Sequence, residues 1–517
     1  MPMLVPGGSL LERAQDLLPK LYESTIYPRE AVQVIADETA FQGWRMQPQS
    51  AVEDVLNRTY GSNESFILDF GDHHVGYVSF SVRAAGSPQD APLRLKLVFG
   101  EMPCEMGEEF DSYNGWLSRS WLQDEVIVID VLPQRIELPR RYTFRYMKVI
   151  VLSTSQKYKV QFADIQARAV TSGNLAEVKP LPAGLPADIA EMDRIGIRTL
   201  QNCMHTVFED GPKRDRRLWL GDLRLQALAN YYTFNNHDLV KRCLYLFAGL
   251  RTDQGQISAC IFEQPEPHAD DTFLFDYSLF FASTLYDYYN ATKDKATAEL
   301  LWPAAKDQIR LALERVDDRG IVRDDPQWWC FVDWHPELNK QASAQAVLIY
   351  CLKRARLLAQ ELSEFELSSM LSMEIERLTQ AALDYLWDEN LGYFISGEDR
   401  NLSWASQIWM VLAEVPDKED RAELLDRLFI DPPTVAPMTP YMVHHLIEAL
   451  FEAGKKEKAL DEMRKYWGEM IKDGADTFWE VYNPDDKKMS PYGSNLINSY
   501  CHAWSCTPTY FIRKYLI

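Results

Sequence analysis

The pattern of hydrophobic and polar positions changes character once along this chain, near residue 186. Between about residues 31 and 172, short apolar runs alternate with polar residues at a period of two, and glycine, proline, asparagine and aspartate separate the runs. The run 93–99 is the clearest example, with leucine or phenylalanine at every odd position. Many short strands divided by turn residues predict an antiparallel β-sandwich.

After Pro186 the apolar positions recur at helical spacing and do so to the end of the chain. We predict a helix capped by Asp188, followed by eleven more at residues 220–234, 238–249, 273–291, 295–316, 342–362, 365–386, 402–414, 417–428, 440–453, 455–470 and 495–515. Twelve helices in antiparallel pairs predict an (α/α)6 toroid with a ligand cleft formed by loops at one end. An irregular helical array would give the same one-dimensional pattern.

The two patterns divide the chain into four parts. Residues 1–30 are predicted to be a short lead-in with a helix from Leu10 to Tyr22, and 31–172 to be a β-sandwich accessory domain. The proline- and glycine-containing stretch 173–186 is interpreted as a linker. Residues 187–517 form the predicted helical, catalytic domain, so the fold class is a multidomain one with α and β parts.

Charge and composition narrow the classes of partner. With 54 basic and 76 acidic residues the net charge is −22, which argues against nucleic acid and anionic membranes as partners. We find no signal peptide and no run of 18 apolar residues. The eight cysteines are scattered without a CxxC pair, which indicates reduced thiols and a cytoplasmic protein. We therefore expect a small-molecule substrate, and a homodimer as the commonest assembly.

Candidate chemistry concentrates in the segment 210–222, which reads Asp-Gly-Pro-Lys-Arg-Asp-Arg-Arg-Leu-Trp-Leu-Gly-Asp. Three carboxylates, three arginines and a tryptophan in so short a stretch suit recognition of, and acid–base chemistry on, a polyhydroxylated ligand such as a sugar. A salt-bridged surface turn is the alternative interpretation.

Three further segments combine acids and aromatic residues. Glu480 follows Phe478 and Trp479 at the mouth of a predicted loop, where a carboxylate could activate water, although an ordinary helix-end glutamate is the simpler interpretation. His502, in the last predicted helix, could donate a hydrogen bond to a sugar hydroxyl or be a core histidine. The segments 268–277 and 327–335 fall at helix-to-helix connections, where a toroid would collect its site residues.

Other chemistries find less support. The sequence has no GxSxG, GxxxxGK or GxGxxG motif, which argues against serine hydrolases, kinases and common nucleotide enzymes. His444 and His445 lie inside a predicted helix and suit packing better than metal binding. Asp270 and Asp271 lack the regular alternation of a calcium loop. We therefore predict no metal and no cofactor.

At the segment 210–222 the chain resembles glycoside hydrolase family 78, the α-L-rhamnosidases. The family's hallmark is Asp-x-Pro-x-Arg, then an acid, then a tryptophan and Gly-Asp, and the sequence here matches it from Asp210 to Asp222. Glu480 and His502 follow in the expected order and at approximately the expected spacing. The resemblance covers residues 31–517 and implies the compact two-domain bacterial form, with a six-hairpin glycosidase domain.

The resemblance implies an α-L-rhamnosidase that acts on small rhamnosides with inversion and needs no metal. Glu480 would be the general base and Asp215 the general acid. The residues that the resemblance assigns to the sugar or its pocket are Asp210, Arg214, Trp219, Asp222 and His502, with looser matches at Asp276, Trp329, Trp334 and Trp479.

One departure from the family leaves alternatives open. The family's usual acid is a glutamate, but residue 215 is the shorter aspartate, and Arg214 and Arg216 beside it favour the ionised form. Asp222 is therefore a second candidate for the general acid. Two other functions also stay open. One is a six-hairpin glycosidase specific for uronic acids, which extra unpaired arginines would favour. The other is a rhamnose-binding protein without catalysis.

Overall fold

Nine antiparallel strands precede the helical part of the chain in the computed structural model, which describes residues 8–517. The strands are β1 (Tyr22–Ile26), β2 (Glu30–Ala36), β3 (Trp44–Ser50), β4 (Ser65–Ala85), β5 (Leu93–Gly100), β6 (Asp124–Ile129), β7 (Gln134–Glu137), β8 (Tyr142–Ser153) and β9 (Lys159–Thr171). Three short helices accompany them, α1 (Gly8–Asp16), α2 (Val52–Asn57) and α3 (Cys104–Gly107). The alternation at 93–99 buries one face of β5, as the sequence predicts.

The long strand β4 connects the sheet. It pairs with β2 and β8 along its first half and with β7 and β9 along its second half, and the register shifts between Asp69 and His74. Through β4 the main path of the sheet runs β1-β9-β4-β8-β5-β6. Hydrogen bonds therefore join all nine strands of the predicted antiparallel β-domain.

The sheet begins earlier in the chain than predicted. The strand β1 pairs with β9 from Tyr22 opposite Thr171 to Ile26 opposite Ala167. Its side chains are mostly exposed, so this edge strand carries no hydrophobic alternation that would reveal it. The predicted helix from Leu10 to Tyr22 ends at Asp16 instead.

The rest of the chain is helical, which confirms the predicted order of an antiparallel β-domain followed by a helical domain. The helices are α4 (Ala187–Cys203), α5 (Leu220–Tyr231), α6 (His237–Gly249), α7 (Phe275–Thr292), α8 (Lys295–Leu313), α9 (Gln341–Glu361), α10 (Phe365–Tyr385), α11 (Trp404–Leu412), α12 (Lys418–Ile430), α13 (Pro440–Glu452), α14 (Lys456–Met463), α15 (Glu469–Lys472) and α16 (Pro508–Tyr515). Short strand pairs link some of them, at β10 (Leu218–Trp219), β11 (Cys260–Phe262), β12 (His268–Ala269), β13 (Trp387–Asp388) and β14 (Tyr393–Phe394). No helix in residues 8–517 has the length and apolar character needed to cross a membrane.

Five helices that are buried along most of their length contact one another in sequence. The pairs in contact are α5 with α7, α7 with α9, α9 with α11, and α11 with α13. The turn Ala503–Ser505 then contacts both α13 and α5. These contacts return to their starting point, as a toroid of helical hairpins requires.

The last predicted helix, 495–515, is wrong over most of its length. Only Pro508–Tyr515 is α-helical, and single 3-10 turns occur at Asn495–Ile497 and Ala503–Ser505. Residues 498–502 pair instead with 478–480, because the Glu480 N–H donates to the Ser499 carbonyl and the His502 N–H to that of Phe478. Pro508 begins the true helix at a position where its missing N–H costs nothing.

Candidate active site

The loop that contains Asp215 is held in shape by Asp210. The buried Asp210 carboxylate accepts backbone N–H bonds from Asp215 at 2.9 Å and from Arg217 at 3.1 Å. Burial, and then the charge of Asp215, raise the pKa of Asp210 to about 8. Both oxygens of Asp210 thus serve the loop, which differs from the sugar-holding role predicted for this residue.

The three arginines of the loop point in different directions. Arg216 donates to the carbonyls of Pro212 and Arg141, and Arg217 lies over the ring of Phe262 at 4.1 Å. Neither therefore neutralises the Asp215 carboxylate, although Arg216 is its neighbour in sequence.

Arg214 is the arginine that joins the candidate catalytic groups. Its guanidinium donates a short hydrogen bond to Glu480 Oε2, and its Nη1 lies 3.8 Å from Asp215 Oδ1. Its Nε donates to the Ile497 carbonyl at 2.9 Å. Burial lowers the pKa of Arg214, but the nearby Glu480 outweighs burial and raises it, so the group stays charged. One guanidinium thus contacts the carboxylates of two residues that lie far apart in sequence.

Glu480 is buried and both of its carboxylate oxygens are engaged. Oε2 accepts from Arg214, and Oε1 accepts from the Tyr492 hydroxyl at 2.5 Å. The Trp504 indole N–H donates to the Glu480 main-chain carbonyl at 2.9 Å. These hydrogen bonds, one of them from a charged guanidinium, hold the carboxylate in a fixed orientation.

Asp222 and His502 form a buried pair beside this group. Asp222 lies in the first turn of α5, and its Oδ1 is 3.1 Å from His502 Nε2. Burial raises the pKa of Asp222 and opposes protonation of His502. The hydrogen bond that the His502 ring donates to Asp222, together with the charge of Glu480, outweighs burial and raises the pKa of His502 to about 9. His502 Nδ1 is buried and has no hydrogen-bond partner in residues 8–517, so it is available to a ligand.

The raised pKa of His502 predicts a pH dependence of stability. The folded protein holds this proton more tightly than the unfolded chain, whose histidine pKa is 6.5. The stability that His502 contributes is therefore expected to be full below about pH 6.5 and to be lost as the pH rises through about 9. The denaturation midpoints of wild type and His502→Gln should converge over that range, with the exposed His268→Gln as control. A difference that stays constant with pH would contradict the assignment.

Three tryptophans surround these polar groups to different degrees. Trp334 is partly buried and lies edge-on to the rings of Tyr492 at 5.4 Å and Trp504 at 5.8 Å. Trp219 is partly buried at the start of α5, edge-on to Tyr277. The contacts of both tryptophans with the sugar stay a prediction. Trp504 also packs 4.6 Å from the His502 ring.

Trp329 lies apart from this group. Its side chain is 48% exposed, and Lys340 Nζ lies 3.9 Å from the centre of its ring. Within residues 8–517 the structure gives it no side-chain contact with Glu480, Asp222 or Asp215. Its predicted place in the sugar pocket stays a prediction.

Two predicted site residues serve the framework instead. The buried Asp276 carboxylate accepts the backbone N–H groups of Phe331 and Val332, both at 2.9 Å, and so ties α7 to the following connection. Trp479 is buried and stacks on Phe41 of the β-domain at 4.2 Å. Neighbouring side chains of an extended segment point to opposite sides. Because Glu480 faces the site, Trp479 faces away from it.

The sequence analysis missed three residues of the site. Tyr492 and Trp504 both bond to Glu480, and Lys213 is a wholly buried cation that donates to Glu105 of the β-domain at 2.6 Å and to the carbonyls of Leu496 and Asn498. Nothing local distinguishes Tyr492 among 25 tyrosines. Trp504 lies two residues after His502, and this closeness to a predicted site residue was the signal that could have identified it.

Comparison with sequence families gives two matches that together span most of the chain. A model described as the glycosyl hydrolase family 78 alpha-rhamnosidase N-terminal domain matches residues 28–169. A model described as the bacterial alpha-L-rhamnosidase 6 hairpin glycosidase domain matches residues 187–516. A comparison with curated protein sequences returned no match.

Comparison with solved structures agrees with these family matches. A Klebsiella oxytoca rhamnosidase with rhamnose bound is 51% identical, with a TM-score of 0.97 and complete coverage of both chains. A Bacillus sp. GL1 family 78 rhamnosidase has a TM-score of 0.76 at 24% identity, over 92% of this chain and 50% of that one. A Streptomyces avermitilis α-L-rhamnosidase complexed with L-rhamnose has a TM-score of 0.64 at 15% identity, over 96% of this chain and 44% of that one. The latter two are similar in fold, and this chain spans about half of each.

Proposed function

This chain is an α-L-rhamnosidase of glycoside hydrolase family 78, and we propose that it releases terminal α-L-rhamnose from small glycosides by a single displacement with inversion. The observation that carries the mechanism is the contact of one guanidinium, that of Arg214, with the carboxylates of both Glu480 and Asp215. The contact brings the two carboxyl groups to the same site. An inverting pair is typically about 6.5–9.5 Å apart.

Glu480 is the proposed general base. The donors on both of its oxygens hold the carboxylate in one orientation, which a base needs in order to meet the attacking water. Removing a proton from the attacking water lets the oxygen bond to the anomeric carbon as the bond to the leaving oxygen breaks. The product is β-L-rhamnose, and the proton taken from water remains on Glu480 until solvent accepts it.

Asp215 is the proposed general acid, which donates its proton to the leaving glycosidic oxygen. Its side chain is 24% exposed, and no side-chain hydrogen bond in residues 8–517 ends on its carboxylate. It is therefore able to reach a leaving group on the open side of the site. Asp222 has the raised pKa that suits an acid, but it is buried and bonded to His502. Asp222 and His502 are therefore proposed to bind the sugar hydroxyls, with Trp219 and Trp334 as walls.

The two alternative functions find less support in the site. A uronic acid specificity needs a free cation in the site, and Arg214 and Arg216 are both bonded to protein oxygens. Arg217 has no ion pair in residues 8–517, but its guanidinium packs on the ring of Phe262. A protein that only binds rhamnose has no need of a carboxylate fixed by two donors. The free, buried cysteines agree with a reducing, cytoplasmic location and hence with small glycosides as substrates. A homodimer stays a prediction.

The stereochemistry of the first product tests the mechanism. Proton NMR during hydrolysis of p-nitrophenyl α-L-rhamnoside is expected to show β-L-rhamnose first and the α-anomer only later, as mutarotation proceeds. A sample of pure L-rhamnose in the same buffer gives the mutarotation rate for comparison. Appearance of the α-anomer first would exclude a single displacement, and absence of hydrolysis would favour the binding protein.

A further inference from the structure

We infer that Tyr492 is a positioning residue for Glu480 and that the β-domain holds Tyr492 in place through Trp116. The inference rests on the proposed role of Glu480 as general base. Tyr492 is buried, and its hydroxyl donates to Glu480 Oε1 at 2.5 Å. With Arg214 on the other oxygen, the two donors fix the carboxylate against rotation about its terminal bond.

The ring of Tyr492 adds a second constraint. The Arg214 guanidinium carbon lies 4.3 Å from the ring centroid, in the geometry of a cation–π contact. The same tyrosine thus orients the carboxylate directly and also supports the arginine that bonds to it. Burial raises the pKa of Tyr492 well above its usual range, and the charge of Glu480 raises it further. The hydroxyl therefore keeps its proton and donates a hydrogen bond to Glu480.

Tyr492 has no helix or strand to hold it. Residues 481–494 contain only turns and irregular backbone, and such a segment keeps its shape through its contacts. Trp116, in a β-domain loop, supplies such contacts at Pro491 and Tyr492. Its main-chain N–H donates to the Tyr492 carbonyl and its indole N–H to the Pro491 carbonyl, both at 3.3 Å. The two rings lie 5.6 Å apart.

Other β-domain residues support the same segment along its length. The Gln42 main-chain N–H donates to the Lys487 carbonyl at 3.0 Å, and its side chain to the Met489 carbonyl at 3.2 Å. Glu108 accepts from the Asn495 side chain at 2.7 Å. The β-domain therefore acts on catalysis through the segment that carries Tyr492, beyond the bracing of the helical domain.

Trp116 allows this coupling to be tested without disturbing the core. Its side chain is 70% exposed, so replacing it removes little buried apolar surface. A tryptophan that served only stability would contribute little at such a position. Its effect on turnover is expected to arise through Tyr492.

The first test is Tyr492→Phe, which removes the hydroxyl and keeps the ring. We expect kcat to fall about tenfold or more, since a hydrogen bond to a charged group is lost, with little change in KM. Tyr393→Phe is the matched control, since its buried tyrosine loses a hydroxyl bond to the Asp431 carbonyl instead.

The second test is a double-mutant cycle with Trp116→Ala. This variant should lower kcat with little change in KM, as Tyr492→Phe does. The double variant should be little worse than Tyr492→Phe alone, because Trp116 acts through Tyr492. Additive effects would overturn the role of Trp116. An unchanged kcat in Tyr492→Phe would overturn the inference as a whole. The Glu480→Gln variant, measured in the same assay, tests the proposed function separately from the role of Tyr492. Full activity in Glu480→Gln would refute Glu480 as the general base.

Discussion

Glu480→Gln is expected to lose turnover by roughly 10²- to 10⁴-fold, the contribution of a general base, while rhamnose still binds. Glutamine has the size of glutamate, and its amide oxygen can still accept from Arg214, so the site should keep its shape. It cannot, however, take a proton from the attacking water. Steady-state kinetics on p-nitrophenyl α-L-rhamnoside and calorimetry with L-rhamnose measure the two quantities separately.

Azide gives the Glu480→Gln experiment a sharper readout. Azide attacks without losing a proton, so it should restore release of nitrophenol and yield β-L-rhamnosyl azide. Glu457→Gln, at an exposed glutamate of α14, is the matched control and should retain wild-type turnover. Wild-type turnover in Glu480→Gln would refute the assignment of the base, whereas lost binding would indicate a collapsed site.

The second large effect is expected on replacing the proposed general acid, and its size should depend on the leaving group of the substrate. Asp215→Asn should lose roughly 10²- to 10⁴-fold on a rhamnoside whose leaving group is an alkoxide, because that oxygen departs only when protonated. The loss on p-nitrophenyl α-L-rhamnoside should be much smaller, because nitrophenolate departs without a proton. Comparing kcat/KM for the two substrates isolates the proton transfer from every other defect.

Asp222→Asn is the matched comparison for the acid. If Asp222 binds the sugar with His502, its loss weakens the same contacts in both substrates, so both values of kcat/KM should fall alike. The reverse pattern, with leaving-group dependence in Asp222→Asn and a uniform loss in Asp215→Asn, would move the acid role to Asp222. Its raised pKa would then be the property that suits it to donate a proton.

The features that the sequence predicted well depend on residues that lie close together in the chain. The segment 210–222 has its chemistry within thirteen neighbouring positions, and the structure places Asp222 and Trp219 at the start of α5 beside the loop of Asp215. The helical periods were also reliable from 220 to 452, where each predicted helix has a counterpart within a few residues.

What the sequence could not predict depended on partners far along the chain. The stretch 496–504 has apolar residues at helical spacing, but backbone pairing of 498–502 with 478–480 and a bond from the Tyr500 N–H to Glu101 of the β-domain keep it extended. Trp479 was assigned to the sugar pocket, yet its ring stacks on Phe41 of the β-domain. Tyr492 owes its place to Trp116 in the same way.

The contacts between the β-domain and residues 487–500 also set the order in which this enzyme can become active during synthesis. The β-domain emerges from the ribosome before Glu480, Tyr492 and His502. Until those residues follow, Lys213 lacks the carbonyls of Leu496 and Asn498, and the nascent chain holds the loop of the proposed acid without the proposed base. Activity is therefore expected only after the chain has been made beyond residue 502 and has paired with the β-domain.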